Sequence, residues 1–484
     1  MSLLRKPLVS GLELLTQLVG MIAKHLAEWR AEHPQTAWWL RILRLGLFQF
    51  GIGLSLAPIT GTLNRVLIDD LMIPAVAVGF LISLHYFVSP VRAMIGYRSD
   101  EARSLGKWRT PYVVLGVMLT YGGLACAPFA LILLGGDGVI GFWPAMLICS
   151  LIFLAYGAGI NIVETIYLAL VSDITPPKDR GKVLSALWVM LILGTVVSAV
   201  VVGYQLVDYS HQKLIQVMQS SAMIFVVLTV VSLWQQERLR PDGTIISNLD
   251  TVRVRWTLWE SIRMLGQQKL LKGLFAIIFI ATMAFATHDI LLEPYGGQVL
   301  NMPVSATMQL TALWGIAMIA GVGLASWMLW KQNAPVWLIS LGCVVGLLGF
   351  SIITYASDGA LVDPFRIGVA LISLGRGLFL VGSIILVMSL TNLNHAGLFL
   401  GIWGIVQAMG QGIGVIGGGL VRDIAQAQTG NVVVGYTTVY SISALLLVSV
   451  IIILLLGLGR RLKVDEIKMP WSSGQEIPAD QLVF

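Results

Sequence analysis

Six polar residues stand where an apolar chain can least accommodate them: His85, Asn161, Glu164, Arg376, Gln407 and Gln411. Each lies inside a long apolar run. An ionisable group at membrane depth is a functional candidate because burying it is costly. Arg376 has the widest chemical reach. Its guanidinium needs an acceptor or a water-filled cavity, and Glu164 is one available partner. Two readings stand side by side: a cavity residue that binds an anionic or carbonyl-bearing ligand, and a structural ion pair tying helices together. His85 can ligate a metal through a neutral imidazole nitrogen or hydrogen-bond a neighbouring helix. Asn161 and Glu164 share one helix face at i, i+3, and Gln407 and Gln411 share another at i, i+4.

Other polar groups sit toward the ends of apolar runs. His288 stands beside Asp289 and reads as an interfacial His–Asp pair. Arg65 precedes Asp69 and Asp70, so local pairing or snorkelling accounts for it. Glu293-Pro294-Tyr295-Gly296-Gly297 reads as a tight outer turn, which makes Glu293, Tyr295 and His288 candidate contact points for a partner. No catalytic constellation is present. The chain lacks a P-loop, a Rossmann fingerprint with strand context, a nucleophile elbow and an Asp-rich magnesium motif, and the expectation is a protein without enzymatic activity. Cys126, Cys149 and Cys343 have neither metal-ligand nor disulfide spacing, and no metal site is expected.

The elements that must position these residues are membrane helices. Of 484 residues, 57% are hydrophobic and only 12% charged, about half the charge of a soluble domain. Mean hydropathy is +0.84. Continuous apolar runs exclude a β-barrel and predict twelve spans near 42–68, 75–95, 111–135, 142–171, 184–207, 218–235, 270–292, 305–330, 334–356, 365–391, 397–421 and 435–458. The fold class is an all-α polytopic membrane protein in two six-helix halves. The halves are residues 42–236 and 270–459. They are flanked by an N-terminal segment 1–41 and a tail 460–484, and divided by a basic loop 237–269.

The net charge of +6 reads as an orientation signal and not as nucleic-acid binding. With the N-terminus inside, 26 of the 31 Lys and Arg residues fall on the inner side, so both termini are expected in the cytoplasm. Residues 1–35 are charged throughout, so no cleavable leader is expected. Leu8, Leu12, Leu15, Val19, Ile22 and Leu26 form one apolar helix face. It would lie on the membrane surface, on a partner, or on the protein's own bundle.

The loop after the second span carries Gly96, Asp100, Arg103, Gly106, Lys107 and Arg109, and the loop after the fourth carries Arg180. Both resemble loop signatures of the major facilitator superfamily, whose two halves are related by an axis along the membrane normal. Asp100 can pair with Arg180 or accept from a helix N-terminus. The second half offers only Lys331-Gln332-Asn333-Ala334-Pro335 at the corresponding place, which weighs against efficient transport.

Four further strings are more specific: Gly61-Thr62-Leu63-Asn64-Arg65-Val66-Leu67-Ile68; Pro90-Val91-Arg92-Ala93-Met94-Ile95-Gly96-Tyr97-Arg98-Ser99-Asp100; Glu293-Pro294-Tyr295-Gly296-Gly297-Gln298-Val299-Leu300; and Ala396-Gly397-Leu398-Phe399-Leu400-Gly401-Ile402-Trp403-Gly404. Together they resemble the bacteriochlorophyll delivery (PucC/LhaA) branch of that superfamily, over about residues 40–460. The resemblance implies a major-facilitator-type fold in a photosynthetic membrane: intracytoplasmic, plasma or thylakoid. It implies an assembly factor that binds or delivers chlorophyll or bacteriochlorophyll to nascent antenna polypeptides. Its partners would be light-harvesting or reaction-centre polypeptides, lipids and pigment-biosynthesis enzymes. Under that reading His85 is the candidate magnesium ligand. The glycines of the eleventh span, among them Gly410, Gly414 and Gly418, would serve close helix packing or a groove for a flat macrocycle. A proton-coupled small-molecule transporter and a structural subunit of a photosynthetic supercomplex remain as alternatives.

Overall fold

Apolar length dictates the elements. The computed structural model describes Met21 and residues 32–90, 92, 95, 109–135, 140–175, 180–234, 269–331, 334–389 and 396–455. Gly96, Asp100, Arg103, Gly106, Lys107, the central basic loop, the tail and most of the N-terminal amphipathic segment lie outside the described residues, as does the side chain of Arg180. Arg109, at the mouth of the third span, is buried and engaged with the protein.

The first half comprises α1 (Pro34–Ala57), α2 (Ala75–Phe87), α3 (Thr110–Cys126, carried on through Leu134), α4 (Phe142–Ile174), α5 (Arg180–Gln205) and α6 (His211–Leu233). The second comprises α7 (Lys269–Gln298), α8 (Val304–Trp330), α9 (Pro335–Asp358), α10 (Val362–Ser389), α11 (Ala396–Thr429) and α12 (Val432–Ile453). Among the described residues, eleven of these helical stretches are long and apolar enough to cross a membrane, and α2 is a shorter apolar helix. Local chemistry sets several starts. Proline occupies the first turn of α1, α3 and α9, where its missing N–H costs nothing. Ser210 caps α6 and Asn431 caps α12.

Pro58 interrupts α1, because it has no N–H and its ring crowds the preceding turn. The chain answers with two wider π-helical stretches, Pro58–Leu63 and Val66–Asp70. These carry Gly61, Asn64 and Arg65 to the boundary between the halves.

Within the first half, α1 packs on α5 and α6, and α3 on α4. Within the second, α10 packs on α8 and α9, and α7 on α11 and α12. The halves meet through α2 against α11 and α5 against α8. Large apolar side chains such as Met118, Leu147, Val227 and Leu445 face outward. Such a surface suits lipid, where helices satisfy their own backbone.

The seventh span corrects the expectation of an outer turn. α7 continues without a break through Glu293, Pro294 and Tyr295 to Gln298. Glu293 is 1% exposed, and the Thr311 hydroxyl donates to its Oε1 at 2.5 Å. Tyr295 is buried, stacks on Phe365 at 4.3 Å between ring centroids and shares a hydrogen bond with Ser357. His288 has no exposed surface and packs among Phe350 and Tyr440, with neither ring nitrogen hydrogen-bonded. None of the three offers itself to a partner. The sequence suggested a turn because Pro and paired Gly mark turns, but tertiary packing keeps the helix intact.

Candidate functional site

Arg376 lies midway along α10, and its partner is Asp289 of α7. Nη1 donates to both carboxylate oxygens, at 2.6 and 2.8 Å. This corrects the expectation of Glu164 as the partner, and it removes Asp289 from a pairing with His288. The error lay in depth. The apolar run stops near 292, which set Asp289 at the membrane edge. The helix extends to Gln298, so Asp289 lies about 13 Å short of its end at 1.5 Å per residue. The guanidinium also sits over Trp314 of α8, 5.7 Å from the ring centroid, a cation–π distance. The side chains remain 11% and 24% exposed, so this central pair borders open space. Across the seam, Tyr86 of α2 lies within electrostatic reach of both partners.

His85 precedes Tyr86, and the two rings approach to 3.7 Å between centroids. His85 Nδ1 lies 2.6 Å from the carbonyl of Ile82. A carbonyl only accepts, so Nδ1 carries the proton in the neutral ring and Nε2 keeps its lone pair. The partly buried ring is held from behind. Asn161 donates to the carbonyls of His85 and Gly157, at 2.9 and 2.7 Å. α4 approaches α2 closely there, because Gly157 has no Cβ to meet the His85 backbone.

Glu164 pairs with Arg92, five residues beyond the end of α2, and Arg92 also donates to Asn161. The expectation that Asn161 and Glu164 share a face holds: one arginine bridges both. Arg92 stands at the end of the second apolar run, where the sequence offers it no partner, and only the fold turns it back onto α4.

Gln407 is buried and accepts from Thr282 at 2.8 Å, with its amide nitrogen unpartnered. Gln411 is half-buried and makes no hydrogen bond among the described residues. The glycines of α11 serve packing. Cβ atoms at Gly410, Gly414 and Gly418 would press on α7, and one at Gly419 on the backbone of α2. α11 is therefore wedged between helices of opposite halves.

Hydrogen bonds between the halves, among the described residues, gather at one end. Asn64 donates to the carbonyl of Ile290 at 2.8 Å, Arg65 to that of Met302 at 3.0 Å, and Gln298 to that of Ile68 at 3.0 Å. The Asp423 carboxylate accepts from the backbone N–H of Val76 at 2.8 Å. Arg65 also pairs with Asp69 at 3.1 Å, the local pairing that the sequence suggested. Glu293 abuts Gly61 of the first π-helical stretch in this closed end.

The fold thus brings His85, Asn161 and Glu164 into one cluster with Arg92, and faces it with Asp289–Arg376. Sequence reasoning missed Tyr86, Arg92 and Trp314 and misplaced Asp289. The available signal was Asp289 itself, an acid in a run of apolar residues that called for a basic partner.

The family model described as PUCC protein matches residues 62–461. The chain is 39% identical to Protein PucC of Rhodobacter capsulatus, covering 84% of this chain and 90% of the relative. It is 38% identical to Protein PucC of Rhodovulum sulfidophilum, covering 79% and 85%. A more distant relative, 29% identical over 80% of this chain and 89% of its own, is the Bacteriochlorophyll synthase 44.5 kDa chain of Rhodobacter capsulatus. In structure, the chain is similar to a bacterial homologue of the human lysosomal transporter Spinster, with a TM-score of 0.66 at 12% identity, covering 89% of this chain and 98% of that one. The fold is of the major facilitator type, as the loop signatures implied.

Proposed function

The chain belongs to the PUCC protein family, and from that premise we propose that it is an assembly factor for photosynthetic light-harvesting or reaction-centre complexes. It holds chlorophyll or bacteriochlorophyll between its halves, beside the partly exposed Asp289–Arg376 pair, and hands it to nascent antenna polypeptides. The observation that carries this reading is His85. Its Nδ1–H is committed to Ile82, leaving the Nε2 lone pair of a partly buried ring as the nitrogen that would hold the pigment's magnesium. Bound, the pigment supplies a magnesium ion that takes such a nitrogen and a macrocycle edged with carbonyl oxygens. Asn161 sets the backbone that presents His85, Tyr86 beside it carries a hydroxyl, and Arg376 supplies a polar group on the facing side. A relative named for bacteriochlorophyll synthase supports a link to the pigment.

The reading is of a carrier and not of a catalyst. Its seat is a photosynthetic membrane with both termini in the cytoplasm, an orientation supported by the uneven distribution of Lys and Arg. Antenna polypeptides, lipids and pigment-biosynthesis enzymes are the proposed partners.

The test is purification of the tagged full chain from its native membrane in mild detergent. A visible spectrum and mass-spectrometric identification of co-eluting proteins are then taken. Near-stoichiometric chlorophyll with light-harvesting or reaction-centre subunits is the expected result. A colourless protein with no photosynthetic partner would overturn the reading in favour of small-molecule transport.

A further inference from the structure

The geometry points to Arg376 as the group that recognises a neutral carbonyl oxygen on the bound ligand, a ketone or ester, in preference to a carboxylate. The inference rests on the pigment reading above and says how the ligand is read.

A guanidinium has five N–H donors in a fixed plane. Both Nη1 contacts go to Asp289. Nε and Nη2 have no protein acceptor among the described residues. They are also absent from the enclosed polar atoms that lack partners, so they border open space. Asp289 and the Trp314 face hold the group in one orientation. Three donors therefore point away from the ion pair toward that open space, with no acceptor among the described residues to meet them.

Charge then selects the acceptor. Asp289 already balances Arg376, so the cluster is neutral overall. A second carboxylate brought to it would sit near Asp289 without a compensating cation, and burying it would be costly. A carbonyl oxygen gains the same N–H donors without that cost. Tyr86, on the facing helix and under the electrostatic influence of both partners, carries a hydroxyl that is a further donor for such a ligand. His85 lies next to it on α2, so one molecule can present a metal to His85 and a carbonyl to Arg376.

The test is pigment titration of the purified full chain in detergent, followed by absorbance. The probes are bacteriochlorophyll a, its derivative with the ring ketone reduced to a methylene, and a methyl bacteriochlorophyllide paired with its free acid. One hydrogen bond predicts roughly three- to tenfold tighter binding of the ketone pigment than of the methylene derivative. The methyl ester should bind at least as well as the free acid. In Arg376→Met combined with Asp289→Leu, which leaves no charge stranded, ketone discrimination should vanish while both pigments still bind. His85→Leu should weaken both pigments and keep the discrimination, a pattern that misfolding does not produce. Equal binding of ketone and methylene pigments to the native chain, or tighter binding of the free acid, would overturn the Arg376 inference and leave the pigment reading standing. No binding of any pigment would overturn both.

Discussion

Asn64 supplies the hydrogen bond that Pro294 cannot. In a regular helix the N–H at position 294 would donate to the carbonyl of Ile290, but proline has no N–H. The side-chain amide of Asn64, from the opposite half, donates to that carbonyl at 2.8 Å. A defect in α7 is thereby converted into a bond between the halves. Asn64→Leu should destabilise the protein by about 1–3 kcal/mol, the cost of an unmet buried carbonyl. The cost should shrink in a Pro294→Ala background, where the helix can satisfy Ile290 itself. Thermal unfolding of the four proteins of this cycle measures it, and an equal cost in both backgrounds would refute the relationship.

The Asp289–Arg376 pair should behave as a unit. Asp289→Leu or Arg376→Met alone leaves a charge stranded among apolar neighbours, at a cost of about 3 kcal/mol, somewhat reduced by the partial exposure of the pair. The double variant should lie closer to the native stability than the sum of the singles predicts. Additive losses in a thermal melt would show that the two residues are not coupled.

His85→Gly should lower the pigment recovered per chain, and added imidazole should restore part of it by occupying the vacated position. Asn161→Leu should give a smaller loss, because it disturbs only the backbone behind His85. Quantitative absorbance after size-exclusion chromatography reads both. Unchanged pigment in His85→Gly would remove His85 as the ligand.

Two glycines of α11 should respond oppositely to the same change. A Cβ at Gly414 would meet the Ala286 Cβ at 2.9 Å and crowd the Met283 carbonyl, whereas one at Gly417 has nothing within 4 Å. Gly414→Ala should destabilise the contact between α11 and α7. Gly417→Ala should be neutral or stabilising by up to about 1 kcal/mol, the difference in helix propensity. The ranking of the two melting temperatures checks this directly.

The sequence by itself determined the membrane-spanning helices, because twenty apolar residues have few other stable fates. It also determined the division into halves and the family, which short strings of specific residues carry. It identified Arg376 as needing a partner and Asn161 with Glu164 as sharing a face, since helical periodicity alone sets which neighbours align. Only the tertiary structure decided who the partners are. Arg376 meets Asp289, and Glu164 meets Arg92, because these pairings depend on which helices pack together and at what depth. Hydropathy, which locates spans but not their ends, leaves both open. Nor could local rules show that Pro294 lies inside a helix. The group that makes it tolerable is Asn64, distant in the chain and adjacent in space, and apolar runs look alike whether they will face lipid or another helix.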